Sequence, residues 1–268
     1  MKGRMRIILG LALALLCWGS AFAGEATLTQ RAPVLVQVGV IDALLAGGYQ
    51  GSMTLGELRG LGDFGLGTFD ALDGEMVVLD GHVHQVLASG AVLRPADVLT
   101  TPFAQVARLA SPRLLDLPAG LDLKAVEARL DAELGDLNIF AAVRVDARFA
   151  TLTARSVPRQ TPPYRPLSEV AKEQSVFPFA AVAGTLVGLR GPAYVRGLGV
   201  PGWHWHFLTQ DRTRGGHVLA FVLAPAGQAR AQLQSISRME LLLPRKGLGG
   251  LDLTRDRTGE LHAVEAGQ

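Results

Sequence analysis

The segment at residues 203–207 alternates aromatic and histidine residues, and this alternation constrains the fold more than any other feature of the chain. Successive side chains of a β-strand point to opposite faces of the sheet. A strand at this position therefore places His204 and His206 on one face and the aromatic side chains on the other. The pattern predicts a strand with a polar, potentially ligating face.

A third histidine follows at the start of the next predicted strand. A loop of residues 210–215 would join the two strands and place Leu208 opposite His217. Because Leu208 shares the face of the first two histidines, His217 would lie on that face as well. A slip of one residue would send it to the opposite face, so the prediction depends on the hairpin register.

Three neutral imidazoles with an open fourth position form a site for Zn²⁺ or a similar divalent ion. A single histidine is more often a hydrogen-bonded core or surface residue, but three in phase within 14 residues favour a metal site. His82 and His84 follow the Asp80-Gly81 turn without a third histidine nearby, and we expect them on the exposed face of a hairpin. His262, in the tail, is expected in solvent.

Turn-forming residues are frequent along the chain, with 32 glycines and 14 prolines among 268 residues. This composition favours a sheet-rich fold over a helical bundle. A helix is predicted from the N-cap Asp122 to the stop at Gly135. Strands are predicted at residues 34–41, 139–145, 149–157, 180–189, 203–209, 217–223 and 231–243.

These elements predict an α+β protein with two sheet-based lobes. The two lobes together would contain mixed and antiparallel β-sheets with a few short helices, and residues 24–160 would form an N-terminal α/β lobe. A β-rich lobe at residues 161–268 would carry the metal-binding histidines.

The first 23 residues have the pattern of a secretory signal peptide. A basic start precedes an apolar run at residues 7–18, and Ala21 and Ala23 fit the small-residue positions of a cleavage site. Twelve residues of helix span about 18 Å, well short of a hydrocarbon core of about 30 Å. We expect an exported protein, periplasmic or extracellular, that is cleaved near Ala23.

Cleavage at this point changes both the cysteine content and the charge of the chain. The only cysteine, Cys17, would be removed, which excludes disulfides and thiolate ligands from the mature protein. The chain has 26 Lys and Arg against 24 Asp and Glu, and removing the three basic residues of the signal leaves 23 − 24 = −1. No basic surplus remains to indicate a nucleic-acid or anionic-membrane partner.

Several motifs spread over nearly the whole mature chain resemble those of the alpha-acetolactate decarboxylase family. They are Gly62-Asp63-Phe64-Gly65-Leu66-Gly67-Thr68-Phe69, Leu72-Asp73-Gly74-Glu75, Val143-Arg144-Val145-Asp146, Pro163-Tyr164-Arg165-Pro166, Gly184-Thr185-Leu186-Val187-Gly188, Gly202-Trp203-His204-Trp205-His206-Phe207 and Gly215-Gly216-His217-Val218. Together these motifs are specific, whereas the histidine segment alone is not.

The resemblance implies a zinc enzyme that converts 2-acetolactate, a 2-hydroxy-3-oxo acid, to acetoin and CO₂. The three zinc ligands of the family correspond to His204, His206 and His217. In this chemistry zinc acts as a Lewis acid on the ketone and hydroxyl oxygens of the substrate. Members of the family are also similar in forming a homodimer.

The resemblance further implies the active-site residues Glu75, Arg144 and Glu265, with Glu260 as the alternative in the tail. Glu75 would protonate the new carbon, which requires a pKa raised by an enclosed site. Its neighbours in sequence, taken alone, indicate a solvated hairpin residue. Arg144 would hold the substrate carboxylate with its guanidinium fork. An ion pair between Arg144 and Asp146 is not expected, because residues i and i+2 lie about 6.6–6.8 Å apart along a strand.

Two other classes of protein share part of this pattern. A non-catalytic, DNA-associated module also carries H-x-H and Gly-Gly-His, but it is about half as long and needs neither Glu75 nor a secretion signal. Cupin-like metal barrels usually place a glutamate shortly after H-x-H, and residues 207–216 contain none.

Overall fold

The computed structural model describes residues 32–245 and 247–267, so the predicted signal peptide lies outside the described residues. The strands are β1 (Val34–Val38), β2 (Met53–Thr54), β3 (Phe64–Thr68), β4 (Glu75–Leu79), β5 (His82–Val86), β6 (Val92–Leu93), β7 (Thr100–Thr101), β8 (Ala104–Ala107), β9 (Arg113–Leu117), β10 (Phe140–Ser156), β11 (Ser175–Gly191), β12 (Gly202–Thr209), β13 (Gly215–Leu223), β14 (Ala229–Ile236) and β15 (Arg238–Leu242). The α-helices are α1 (Ile41–Leu45), α2 (Leu55–Leu61), α3 (Leu123–Leu134), α4 (Leu167–Val170) and α5 (Thr258–Glu265). Within these described ranges, no helix has the length and apolar character needed to cross a membrane.

Two large sheets organise the part of the chain that the structure describes. The first has seven strands in the order β15-β1-β8-β3-β4-β5-β6, and the second has six in the order β11-β12-β13-β10-β14-β9. Most neighbours are antiparallel, and β1 and β15 form a parallel pair. The predicted α+β class, with mixed and antiparallel sheets and short helices, is confirmed.

Strands on both sides of residue 160 contribute to each sheet. β9 and β10 precede that residue and join the sheet that contains the histidine strands, whereas β15 closes the first sheet. The division into lobes at residues 24–160 and 161–268 stays a prediction.

The two sheets share an apolar core. Leu66 and Val77 from the first sheet belong to the same buried cluster as Val187 and Leu208 from the second. Burying a large aliphatic side chain of this kind contributes about 1.5–3 kcal/mol to stability. The shared core places β4, with Glu75 at its start, against the sheet that carries the histidines.

Three predicted strand boundaries were wrong. The predicted strands 139–145 and 149–157 are one continuous strand, β10, because Arg144, Asp146 and Arg148 alternate with buried residues and so continue the strand. The predicted strand 231–243 is divided between β14 and β15, which lie in different sheets. The first strand ends at Val38, because Gly39 adopts a φ of 70° and redirects the chain into α1.

The two ends of one helix and the residues of one turn were predicted correctly. The side chain of Asp122 accepts a hydrogen bond from the Ala125 amide and begins α3, and Gly135 ends that helix with a φ of 73°. Asp80 and Gly81, with φ values of 53° and 73°, form the tight turn between β4 and β5.

Candidate metal centre and active site

Strands β12 and β13 bring the three histidines to one face of the second sheet. The observed register pairs His206 with His217 and Leu208 with Gly215. The predicted pairing of Leu208 with His217 was therefore wrong by two residues, since the connecting loop is shorter than expected. A shift of two residues preserves the face to which a side chain points, and so His217 still joins the other two histidines.

The shorter loop follows from local side-chain chemistry. The Thr209 amide donates to the Arg214 carbonyl at 2.9 Å, and the Thr209 hydroxyl donates to Asp211 at 2.6 Å. Arg212 adopts a φ of 60°, a left-handed conformation that tightens the turn. These contacts close the hairpin after four loop residues, 210–213.

The three imidazoles form a compact, buried group. Their ring centroids lie 5.0–5.4 Å apart, and one ligating nitrogen from each ring lies within 4.8 Å of the others. His204 Nε2 lies 3.1 Å from His217 Nδ1, so these two nitrogens face each other across the centre of the group. Among the described residues, this is the cluster that meets the distance requirement for a metal ion.

The hydrogen bonding of His206 prepares it as a ligand. Its Nδ1 lies 2.7 Å from the Met76 carbonyl oxygen, to which only an N–H can donate. Nε2 then carries the lone pair, and this buried atom has no hydrogen-bond partner among the residues that the structure describes. A backbone carbonyl that fixes the tautomer in this way is the usual outer support of a metal-bound histidine.

The protonation states of the three histidines are also those of metal ligands. Burial lowers the pKa of His204 to about 3, and burial likewise places the pKa values of His206 and His217 well below the usual range. All three rings are therefore neutral at neutral pH, which is the form that binds a divalent cation. The donor set and the orphaned Nε2 of His206 fit such an ion.

The opposite face of β12 is anchored to α3. Trp203 and Trp205 stack with centroids 5.1 Å apart, and their indole N–H groups donate to Asp131 and Glu127 at 2.9 Å each. An added Cβ at Gly188 would lie 2.3 Å from the Trp205 ring, so glycine is needed beside it. The strand alternation predicts the aromatic face but not these two carboxylates, which lie one helical turn apart on α3.

Glu75 lies at the first position of β4, and it is buried. Its Oε2 is 3.6 Å from His206 Nε2, and its Oε1 accepts a hydrogen bond of 2.6 Å from Arg155. The pKa of Glu75 is raised to about 7, chiefly by burial; the Arg155 guanidinium opposes this shift, and the neighbouring Glu265 carboxylate adds to it. The interpretation of Glu75 as a solvated hairpin residue is wrong, and the raised pKa expected from an enclosed site is present.

The tail glutamate at the histidines is Glu265. Its Oε2 lies 3.8 Å from His204 Nε2 and 3.9 Å from His217 Nε2. Burial raises its pKa to about 7, with Arg155 acting in the opposite direction. Glu260, five residues earlier on α5, forms an ion pair of 2.9 Å with Arg255 instead.

Arg144 does not lie in this group, and its predicted placement was wrong. It forms ion pairs of 2.7 Å with Asp80 and with Asp146, including the pairing with Asp146 that was not expected. The long side chains span the distance that separates the two backbone positions. Arg144 precedes Arg155 by 11 residues on the same strand, which corresponds to about 36 Å at about 3.3 Å per residue.

Arg155 is the arginine of the site. It pairs with His217 across β10 and β13, and its guanidinium bonds Glu75 and, at 3.4 Å, the Val264 carbonyl. Within the described part of the chain, its buried Nε–H has no hydrogen-bond partner. Arg155 could not be identified from the sequence, because only the pairing of β10 with β13 distinguishes it from other charged residues in strands.

The remaining histidines have different environments. His82 is exposed, as predicted, and lies 2.9 Å from the Asp80 carbonyl through its Nδ1. His84 is only 3% exposed, so its predicted position on an exposed face was wrong. His262 is exposed on α5, as predicted.

A small cavity of about 40 Å³ lies at the histidines. One side is polar, with the three imidazoles, Glu75, Glu265, Thr68 and Arg155. The apolar side consists of Ile41, Leu44, Leu72, Phe103, Val157, Leu167, Leu261 and Val264. The cavity therefore combines a candidate metal centre, two carboxyl groups of raised pKa and a guanidinium against an apolar wall.

Comparisons with known proteins point to one family. The family model described as Alpha-acetolactate decarboxylase matches residues 35–248. A relative of that name from Methanosarcina mazei is 46% identical over 208 residues, which cover 78% of this chain and 72% of that protein. One from Methylococcus capsulatus is 40% identical over 230 residues, or 85% of this chain and 87% of that protein.

A solved structure shows the same similarity in three dimensions. The crystal structure of alpha-acetolactate decarboxylase from Bacillus subtilis strain 168 matches with a TM-score of 0.83 at 30% identity. The match covers 88% of this chain and all of that one.

Proposed function

We propose that this chain, which belongs to the alpha-acetolactate decarboxylase family, converts 2-acetolactate to acetoin and CO₂ at the three buried histidines. The family relationship makes it a carboxy-lyase. The observation that carries the mechanism is the convergence of three neutral imidazoles, Glu75 and Arg155 on one small cavity. A match over residues 35–248 is also longer than a DNA-associated module would explain.

The reaction needs a place for two electrons. Loss of CO₂ leaves an electron pair on the carbon that carried the carboxylate, and the neighbouring ketone can accept it as an enediolate. A divalent ion held by His204, His206 and His217 would supply Lewis-acid stabilisation of the charge that develops on the ketone oxygen. The chain itself must orient the carboxylate, exclude water and return a proton.

Arg155 takes the role that the resemblance gave to Arg144. Its Nε–H is buried and has no partner among residues 32–245 and 247–267, so it can donate to the carboxylate of the substrate and fix the scissile bond. Its other nitrogens hold Glu75 and the carbonyl of Val264 on α5. One side chain thus connects substrate orientation to the proton donor and to the tail helix.

Glu75 supplies the proton to the new carbon. Its raised pKa of about 7 keeps a substantial protonated fraction at neutral pH. The hydrogen bond to Arg155 fixes the carboxyl on one side of the cavity, so protonation occurs from one face. A chiral acetoin of one hand is the expected product.

Two substitutions test these roles. We expect Glu75→Gln to retain the metal and lose at least about 100-fold in kcat, because the amide cannot donate the required proton. We expect His206→Ala to lose both metal and turnover. Glu240→Gln and His82→Ala, at exposed positions, are the matched controls. Unchanged acetoin formation by Glu75→Gln would contradict the proton-donor role.

We propose Zn²⁺ as the resident metal. An all-nitrogen histidine set, with no thiolate among the residues that line the cavity, suits zinc and leaves it strongly electrophilic. Elemental analysis of the purified protein tests this assignment. Another divalent metal at full occupancy in an active preparation would contradict it.

We also propose that the protein is exported and forms a homodimer. Export is supported by the basic and apolar pattern before Ala23 and by its small-residue cleavage site. The homodimer rests on the family resemblance alone. N-terminal sequencing of the secreted protein and light scattering of the purified protein test the two proposals, with a mature start at Gly24 and twice the chain mass as the expected results.

A further inference from the structure

Two cavities meet at the C-terminal helix. The inner cavity of about 40 Å³ contains the histidine nitrogens, and a much larger outer cavity of about 1150 Å³ lies beside it. The residues that line both cavities are His217, Leu261 and Glu265. These three side chains therefore form the partition between the reaction site and the larger space.

Leu261 is the apolar member of this partition. It lies one helical turn before Glu265 on α5, so the two side chains share a face of the helix. The other apolar residues around the inner cavity, such as Leu44 and Phe103, line that cavity alone. Among the described residues, Leu261 is thus the apolar wall residue with the outer cavity directly behind it.

The chemistry of the inner cavity orients a 2-hydroxy-3-oxo acid. The oxygen atoms of such an acid would face the polar side of the cavity, at the histidines, Glu75 and Arg155. Its alkyl groups would then face the apolar side. Methyl groups can be accommodated there, whereas a longer chain would meet the wall. The outer cavity offers an apolar surface for such a chain, at Leu219, Leu253, Val218 and Trp203.

We propose that Leu261 is a specificity-determining residue that limits the alkyl length of the substrate by closing the reaction site from the outer cavity. This inference rests on the proposed function. Truncating Leu261 joins the two cavities and admits 2-hydroxy-3-oxo acids with long alkyl chains. The class of substrate excluded by the native chain is therefore the long-chain homologues of 2-acetolactate.

Leu261→Ala and Leu44→Ala form a matched pair for the test. Both leucines are 7% exposed, both belong to the same buried cluster and both line the inner cavity, but only Leu261 has the outer cavity behind it. The substrates are 2-acetolactate and two homologues with a straight five-carbon chain, one in place of the C2 methyl group and one in place of the acetyl methyl group. The readout is the ratio of kcat/KM for each homologue to kcat/KM for 2-acetolactate.

We expect Leu261→Ala to raise this ratio by about tenfold or more over the wild-type value for at least one homologue, since apolar pockets discriminate by about that factor per methylene. Leu44→Ala should leave both ratios near the wild-type values. If Leu261→Ala does not fold, Leu261→Val is expected to give a smaller rise in the same direction.

The proposal would be overturned if an active Leu261 variant kept the wild-type ratios of kcat/KM for both homologues. It would also be overturned if Leu44→Ala raised these ratios as much as Leu261→Ala does. Failure of the wild-type protein to form acetoin from 2-acetolactate would instead overturn the proposed function, and this inference with it. The two failures are therefore distinguishable in one set of assays.

Discussion

His206 shows how one backbone contact prepares a side chain for chemistry. His206 Nδ1 lies 2.7 Å from the Met76 carbonyl oxygen and donates its proton to it, which leaves the lone pair on Nε2, the atom 3.6 Å from Glu75. Met76 follows Glu75 directly on β4. The strand that supplies the proposed proton donor therefore also orients a proposed metal ligand.

The assignment of Arg155 can be tested by paired substitutions. We expect Arg155→Lys to lower kcat/KM by about 100-fold or more, because a lysine cannot reproduce the planar fork that holds Glu75 and the substrate carboxylate together. Arg144→Lys should leave kcat/KM within about twofold of wild type, since Arg144 pairs with Asp80 and Asp146 away from the cavity. Steady-state assays on 2-acetolactate measure both. The reverse order of the two effects would restore Arg144 to the site.

Strand β12 illustrates what could be predicted from the sequence and what could not. The alternation of Trp203, His204, Trp205 and His206 determines which side chains share a face, because the strand period is two. The register was wrong by two residues, because Thr209 and Asp211 close a tighter loop than spacing alone indicates. The histidine cluster was nevertheless predicted, since an even shift leaves the faces unchanged.

The anchoring of β12 to α3 predicts a measurable contribution to stability. Asp131 accepts from both Trp203 Nε1 and the buried Arg190 Nε, so Asp131→Ala removes two hydrogen bonds and leaves the buried guanidinium without its carboxylate. We expect a loss of about 1–3 kcal/mol in the free energy of unfolding, measured by urea denaturation. Asp116→Ala, at an exposed position on β9, is the control and should change stability by less than about 0.5 kcal/mol. Equal urea midpoints for Asp131→Ala and Asp116→Ala would contradict the proposal that Asp131 anchors β12 to α3.

At the scale of the whole molecule, the site is assembled from distant parts of the chain. Glu75 on β4, Arg155 on β10, the histidines on β12 and β13 and Glu265 on α5 meet in one cavity. Hydrophobic patterning predicts elements and faces but not which strand of one sheet lies against the other. The family motifs led correctly to the positions of Glu75 and Glu265 at the histidines, but the same resemblance placed the arginine at Arg144. Arg155 was missed because the residue pattern of β10 does not show which of its arginines lies against the histidine strands.

A bound metal should connect these parts energetically. An ion that binds only the folded protein adds about 2.7 kcal/mol to stability at a free concentration 100 times its Kd. We expect chelation to lower the thermal midpoint by about 5–10 °C in calorimetry, from about 2–4 °C per kcal/mol for a chain of this size. His206→Ala should show no shift on chelation. A wild-type midpoint that does not respond to chelator or to added metal would argue against a structural contribution from the ion.

Anomalous X-ray diffraction at the zinc absorption edge, on crystals grown from protein that forms acetoin, tests the proposed metal centre. A zinc ion held by the three histidines is expected to give one strong peak per chain, at about 2.0–2.1 Å from a ring nitrogen of each of His204, His206 and His217. Crystals of fully active protein with no peak at these three residues, at this edge or at that of any other divalent metal, would contradict the proposed metal centre.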